Sequence, residues 1–309
     1  MNKLVLAVIS AIVLTATLGV SGQGQAPAPA GGQAPPAPMA IKQVKPGLYM
    51  VTGFGGNSTV RVTDQGVILV DTKNLGDGPF NDLVAQIKTV TSQPVKYVFI
   101  THVHQDHAGN IGRFKAAGAE VITYDGLKKN LETGGLDGKG YTSPAGKPDP
   151  PSSTYSGRNR EVKVGNVVAR AYHFANAHTS GDSVVLFPDV RVIAFGDEFV
   201  DQQPNADLPN GGSVLTYPKA LEEALKLDWD VAIPGHGNNP MTRADVQAYQ
   251  KKWAAIARKS LELRKKGVAK EQIRQQISAE LPEIAPWMMT GIINDMRLDL
   301  FYAELTKAM

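Results

Sequence analysis

The chain has 309 residues, 42% of them hydrophobic and 20% charged, with a formal net charge of +3. That length holds one large domain or two small ones, and the balance is that of a soluble globular protein. The small charge and the lack of a dense basic patch exclude a nucleic-acid partner, and the absence of cysteine excludes disulfides and thiolate ligands.

The chain opens with Lys3, an almost wholly apolar stretch over residues 4–20, and the small residues Ser21 and Gly22. This reads as a secretory signal peptide over residues 1–22, with an uncleaved anchor as the alternative. The expected location is periplasmic or secreted, with no membrane contact after cleavage. Residues 23–40, rich in Pro, Ala, Gly and Gln, cannot bury enough apolar area to offset the entropy of ordering and are expected to form a flexible linker.

Short β-branched runs punctuated by Gly, Asn and Asp predict strands at Leu48–Thr52, 58–62 and Gly66–Val70. Leu83, Val84, Ile87 and Val90 recur at helical spacing and predict a helix over 81–91. The continuous apolar run 95–101 predicts a buried strand, followed by a short helix at 110–117 and a strand at 120–123. Residues 136–157, dense in Gly, Pro, Ser and Lys, are expected to be a long loop at the cleft. Strands are expected at 161–164, 167–174, 183–187, 192–195 and Val231–Ile233, with a helix at 218–227. From Thr242 onward the pattern is helical, with breaks near Gly267 and 281–286. The expected organisation is a catalytic domain over residues 41–240 and a helical C-terminal extension over 241–309 packed on it.

The strongest signal is Thr101-His102-Val103-His104-Gln105-Asp106-His107, four potential metal ligands within six residues. Three of the chain's six histidines fall in this hexapeptide, which a chance scatter does not produce. The cluster sits where a buried strand ends and a helix begins, the place where α/β folds bind ligands. His102 and His104, two apart in extended chain, point to one side together, while Asp106 and His107 follow the turn and reach a second position. His178, Asp197 and His236 are each delivered near a strand end and flanked by glycine, which permits close backbone approach. His173, within a predicted strand, is expected to be satisfied by a neighbour.

The order His-x-His-x-Asp-His, then His178, Asp197 and His236, resembles the metallo-β-lactamase superfamily over residues 48–237. The Gly55-Gly56-Asn57 turn, the strand ending at Asp71 and the His178-Thr179-Ser180-Gly181-Asp182 loop support the resemblance. It implies an α/β fold, a four-layer αββα sandwich with the metals in a cleft at one edge of the two sheets. It further implies one metal held by His102, His104 and His178, a second by Asp106, His107 and His236, and Asp197 bridging them. Asp71 matches the family's buried aspartate that supports the ligand loop.

Imidazole and carboxylate suit zinc, with iron or manganese compatible. Two such ions activate water against a carbonyl or phosphoryl centre, and Asp106 is the expected catalytic group that orients the nucleophile and handles its proton. The lack of cysteine excludes the subclasses with a thiolate ligand, and Asp197 makes the site similar to glyoxalase II and lactonases. The expected activity is hydrolysis of a lactam, lactone or other ester-like bond in a small-molecule substrate. The alternative on the same fold is an iron-dependent oxidoreductase of the persulfide dioxygenase type. A diiron oxygen-reducing role is disfavoured, since such members carry glutamate where His104 stands.

Overall fold

The computed structural model describes residues 38–133, 147–201, 204–287 and 297–309, all within one unit, Pro36–Met309. The signal-peptide reading, nearly all of the linker, much of the 136–157 loop and residues 288–296 of the helical extension lie outside the described residues.

Alternating and fully apolar strands build two sheets. The first has seven strands in chain order: β1 (Ala40–Lys45), β2 (Leu48–Thr52), β3 (Ser58–Thr63), β4 (Gly66–Val70), β5 (Val95–Phe99), β6 (Glu120–Tyr124) and β7 (Ser153–Tyr155). The second has six, in the order β13 (Met241–Thr242), β12 (Val231–Ile233), β11 (Val192–Ala194), β10 (Val184–Phe187), β9 (Val167–Tyr172) and β8 (Asn159–Val164). Leu48, Met50, Ile68, Val70 and Phe99 meet Ala171, Val185, Phe187, Val192 and Ile233 in the core between the sheets.

Helices cover the outer faces. α1 (Asp77–Lys88) buries Leu83 and Ile87 on the first sheet. The short α2 (Gln105–Ala108) and α3 (Ile111–Ala116) follow β5, and α4 (Asp125–Thr133) follows β6. α5 (Tyr217–Leu225) and α6 (Arg243–Lys265) pack on the second sheet. α7 (Lys270–Glu280), α8 (Ala285–Trp287) and α9 (Leu298–Lys307) complete that layer, Ile273, Ile277, Phe301 and Leu305 sharing a core with Ile193 and Phe195. The architecture is thus the αββα sandwich, with C-terminal helices added to one outer layer. α6 starts at Thr242, which forms a capping box with Asp245. Among the described residues no helix is long and apolar enough to cross a membrane.

Strand direction places the site. β4, β5 and β6 run parallel, so their C-terminal ends share one edge of the first sheet. β11 and β12 are also parallel. β9 and β11 are each antiparallel to β10, so β9 ends on the same edge as they do. The segments after β5, β9, β11 and β12 therefore emerge together. Asn57, in the β2–β3 turn, joins the two sheets there: its side-chain amide donates to the carbonyls of Pro234 (2.9 Å) and Gly237 (3.0 Å).

Three strands expected from sequence carry the same bounds in the structure: Leu48–Thr52, Gly66–Val70 and Val231–Ile233. The sequence expectations need correction at several points. β1 opens at Ala40, within the segment read as linker, because Met39 is buried and the strand pairs with β2. Helix α4 carried no sequence expectation. Within the expected 136–157 loop, residues 153–155 form β7, whose backbone pairs with β6.

Candidate metal centre

The backbone turns sharply where β4 ends. Asp71 (φ 63°) and Lys73 (φ 67°) are both left-handed, a conformation that costs a non-glycine residue about 1 kcal/mol or more and persists only when the surroundings hold it. The Asp71 carboxylate accepts from Thr101 N (2.8 Å), Thr101 Oγ1 (2.8 Å) and His107 Nδ1 (2.7 Å). Lys73 is fully buried, its ammonium donating to the carbonyls of Val51 and Gly56, both at 2.7 Å. Burial pushes its pKa down to about 7, against the pull of Asp71. The two residues fasten β4 to the segment after β5 and to the Gly55-Gly56 turn.

The seven side chains named from sequence come together in two adjoining clusters. His102, His104, His178 and Asp197 form one, and Asp106, His107 and His236 the other, with donor atoms in each within 4.8 Å of one another. Asp197 faces both ways. Its Oδ1 lies 3.2 Å from His107 Nε2 and 3.4 Å from His236 Nε2, while its Oδ2 lies 3.8 Å from His102 Nε2 and 3.7 Å from His178 Nε2. His104 Nδ1 is 3.1 Å from His178 Nε2, and His236 Nε2 is 3.2 Å from Asp106 Oδ2. Ligands about 2.0–2.1 Å from one tetrahedral ion stand about 3.3 Å apart, the separation seen between these donors.

Hydrogen bonds on the far sides of the rings aim four imidazoles inward. His107 Nδ1 is engaged by Asp71. Thr101 Oγ1 donates to Asp71 and so accepts from His102 Nδ1 (3.0 Å). The Asn205 carbonyl accepts from His178 Nδ1 (2.8 Å), and Asp207 Oδ2 accepts from His104 Nε2 (2.7 Å). With the outward nitrogen donating, the inward nitrogen presents a lone pair. His102 Nε2 and Asp197 Oδ1 are buried with no hydrogen-bond partner, an arrangement that a cation satisfies.

The electrostatics point the same way. His107 is held well above the usual imidazole range: burial opposes this, but the charges of Asp197, Asp106 and Asp71 overcome it. His236 is pushed up to about 9, again against burial, chiefly by Asp197. His102, by contrast, is held well below its usual value by burial and by the neighbouring His107. The carboxylates thus favour positive charge at this centre.

Two glycines make the close packing possible. A Cβ on Gly56 falls 2.1 Å from the His107 ring, and one on Gly235 falls 2.2 Å from Asp197 Oδ1.

Sequence reasoning missed Asp207, Asn205 and Lys73. Asp207 is fully buried, and His104 holds its pKa down at about 2 against burial. Its one sequence signal is a stretch of Asn and Asp bracketed by Pro204 and Pro209. His173 stays out of the site: its Nδ1 meets the Asp182 carbonyl (2.8 Å) and its ring stacks on Tyr124. Tyr155 is buried, its hydroxyl against Ser183 Oγ.

The sequence model of the family described as Metallo-beta-lactamase superfamily matches residues 51–236. The metallo-beta-lactamase type 2 of Bacillus cereus is 26% identical over 215 residues, spanning 64% of this chain and 77% of that protein. Among solved structures, a metallo-beta-lactamase from Pontibacter korlensis aligns with a TM-score of 0.59 at 19% identity, over 70% of this chain and 99% of its own. An inverting sec-alkylsulfatase from Pseudomonas sp. aligns with a TM-score of 0.67 at 19% identity, over 87% of this chain and 50% of its own.

Proposed function

Since the chain belongs to the metallo-beta-lactamase superfamily and is a metal-dependent hydrolase of that fold, we propose that it is an exported enzyme using two zinc ions to hydrolyse a lactam, lactone or other ester-like bond. The observation that carries the two-ion reading is Asp197, which turns one oxygen to each cluster. In this reading His102, His104 and His178 hold one ion, Asp106, His107 and His236 the other, and Asp197 bridges. The donor set of imidazole and carboxylate suits zinc, with iron or manganese compatible. When bound, such a pair supplies Lewis acidity toward the substrate oxygen and lowers the pKa of water toward about 7.

The chain's own residues do the rest. Asp71, Asp207 and the Asn205 carbonyl fix the imidazole rings before substrate arrives, so no reorganisation is required during the reaction. Asp106, with 28% of its side chain exposed, is the carboxylate in reach of solvent. It orients the attacking water and carries its proton on a carboxylate oxygen to the leaving group. The proposed export to the periplasm or medium is supported by the apolar stretch at residues 4–20, and cell fractionation with N-terminal sequencing of the recovered protein tests it.

The decisive experiment measures metal content and then turnover on a panel of lactams, lactones, thioesters and phosphoesters, with and without chelator. Two equivalents of zinc, chelator-sensitive hydrolysis, and near-complete loss of turnover in folded His104→Ala and Asp106→Ala are expected. Full activity in either variant, or iron with no hydrolysis of any panel member, overturns the reading.

A further inference from the structure

Half of the centre takes its geometry from residues 205–207. The Asn205 carbonyl engages His178 Nδ1 (2.8 Å), the Asp207 carboxylate engages His104 Nε2 (2.7 Å), and Asp207 N donates to the His178 carbonyl (2.7 Å). This stretch belongs to no strand and precedes a single turn at Leu208–Asn210, so its position must be imposed from outside.

One support is local. Asn210 Nδ2 donates to Asp207 Oδ2 (2.6 Å), and the Asn210 carbonyl accepts from Ser180 N (3.0 Å) and Asn130 Nδ2 (3.1 Å).

The other support comes from the far end of the chain. Arg297, at the N-cap of α9, donates to Asn205 Oδ1 and to the Ala206 carbonyl (3.5 Å). Glu304, two turns along the same helix face, accepts from Ser213 Oγ, Val214 N (3.3 Å) and Leu215 N (3.1 Å). Arg297 is only 7% exposed, and burying a charge is costly unless its hydrogen bonds are made. Its Nη1 makes two of them to the stretch that aims two imidazoles. Phe301, between these contacts, and Leu305, just after them, anchor the helix in the core of the second sheet. α9 lies wholly beyond residues 51–236, the part that matches the family.

We propose that α9 is a latch on the metal centre: Arg297 and Glu304 pin the two ends of the 205–215 segment and thereby set the metal affinity of the His104/His178 half. The latch rests on the reading of those histidines as ligands. Arg297 and Glu304 act through Asn205, Ala206 and the 213–215 turn and are positioning residues.

The test uses the full chain with Arg297→Met, Arg297→Lys, Glu304→Ala and Glu304→Gln. Zinc is competed against a chromophoric chelator to resolve two binding equivalents, and the absorption spectrum of the cobalt-loaded protein is recorded. Arg297→Met and Glu304→Ala are expected to weaken one equivalent about tenfold, the scale of lost ligand support. The other equivalent stays within about twofold, the cobalt spectrum shifts, and the conservative changes Arg297→Lys and Glu304→Gln recover most of the loss. Wild-type binding of both equivalents in Arg297→Met overturns the latch while leaving the metal reading intact. So does an equal weakening of both equivalents alongside a lower melting temperature of the metal-free protein. A wild-type chain that takes up no stoichiometric metal overturns the metal reading itself, and the latch with it.

Discussion

Asp207 and Asp71 perform the same service, one for each of the two clusters. Each holds the outward nitrogen of one imidazole at 2.7 Å and so decides which nitrogen faces inward. The two differ in what else they carry. Asp71 also fixes the backbone and hydroxyl of Thr101, so its loss damages the fold as well as the site. The Asp207 carboxylate otherwise meets Asn210 Nδ2, in a loop rather than at a strand end, which makes it the cleaner probe. Asp207→Ala removes the acceptor from His104, and metal affinity is expected to fall about 10–100-fold. A chelator competition that finds metal affinity unchanged contradicts the assigned role. This residue was illegible in the sequence because a lone aspartate in a loop has no periodicity or cluster to mark it. The 102–107 segment was legible because its residue types are rare in this chain and dense there.

At the scale of elements, the strands that could be read from sequence are those whose own side chains determine them. Gly66–Val70 is apolar throughout and buried at every position. The strand expected over 95–101 instead ends at Phe99, because Thr101 gives its backbone N–H and hydroxyl to Asp71 rather than to a ladder. β1, α4 and β7 left no usable pattern. β1 is largely exposed and exists through its pairing with β2. α4 carries a glycine near its start, and that glycine is required because a Cβ there meets the Ser180 carbonyl at 2.1 Å. Three-residue β7 is defined by β6 alongside it. The helical extension was visible from its periodicity, but not its attachment. Trp253 of α6, fully buried, stacks on Tyr217 at 3.8 Å, and Tyr217 Oη donates to the Asp197 carbonyl (2.8 Å). Trp253→Ala is therefore expected to cost about 3–5 kcal/mol of stability, measured by urea unfolding. A loss under about 1 kcal/mol refutes this account of how α6 is seated.

Across the whole molecule, the centre draws on both sheets. His102, His104, Asp106 and His107 follow β5 of the first sheet, while His178, Asp197 and His236 follow strands of the second. Each cluster mixes donors from the two. A ligand that binds only the folded state stabilises it by about 2.7 kcal/mol at a hundredfold excess over its Kd, so chelation is expected to lower the melting temperature. Where that loosening falls follows from the same arrangement. An occupied centre is a rivet through the seam between two slabs that elsewhere meet mainly through apolar packing. With the rivet withdrawn, amide hydrogens in β5 and β11 are expected to exchange with deuterated solvent sooner than those of α6, so that the enzyme's working edge frays first while its outer shell stays closed.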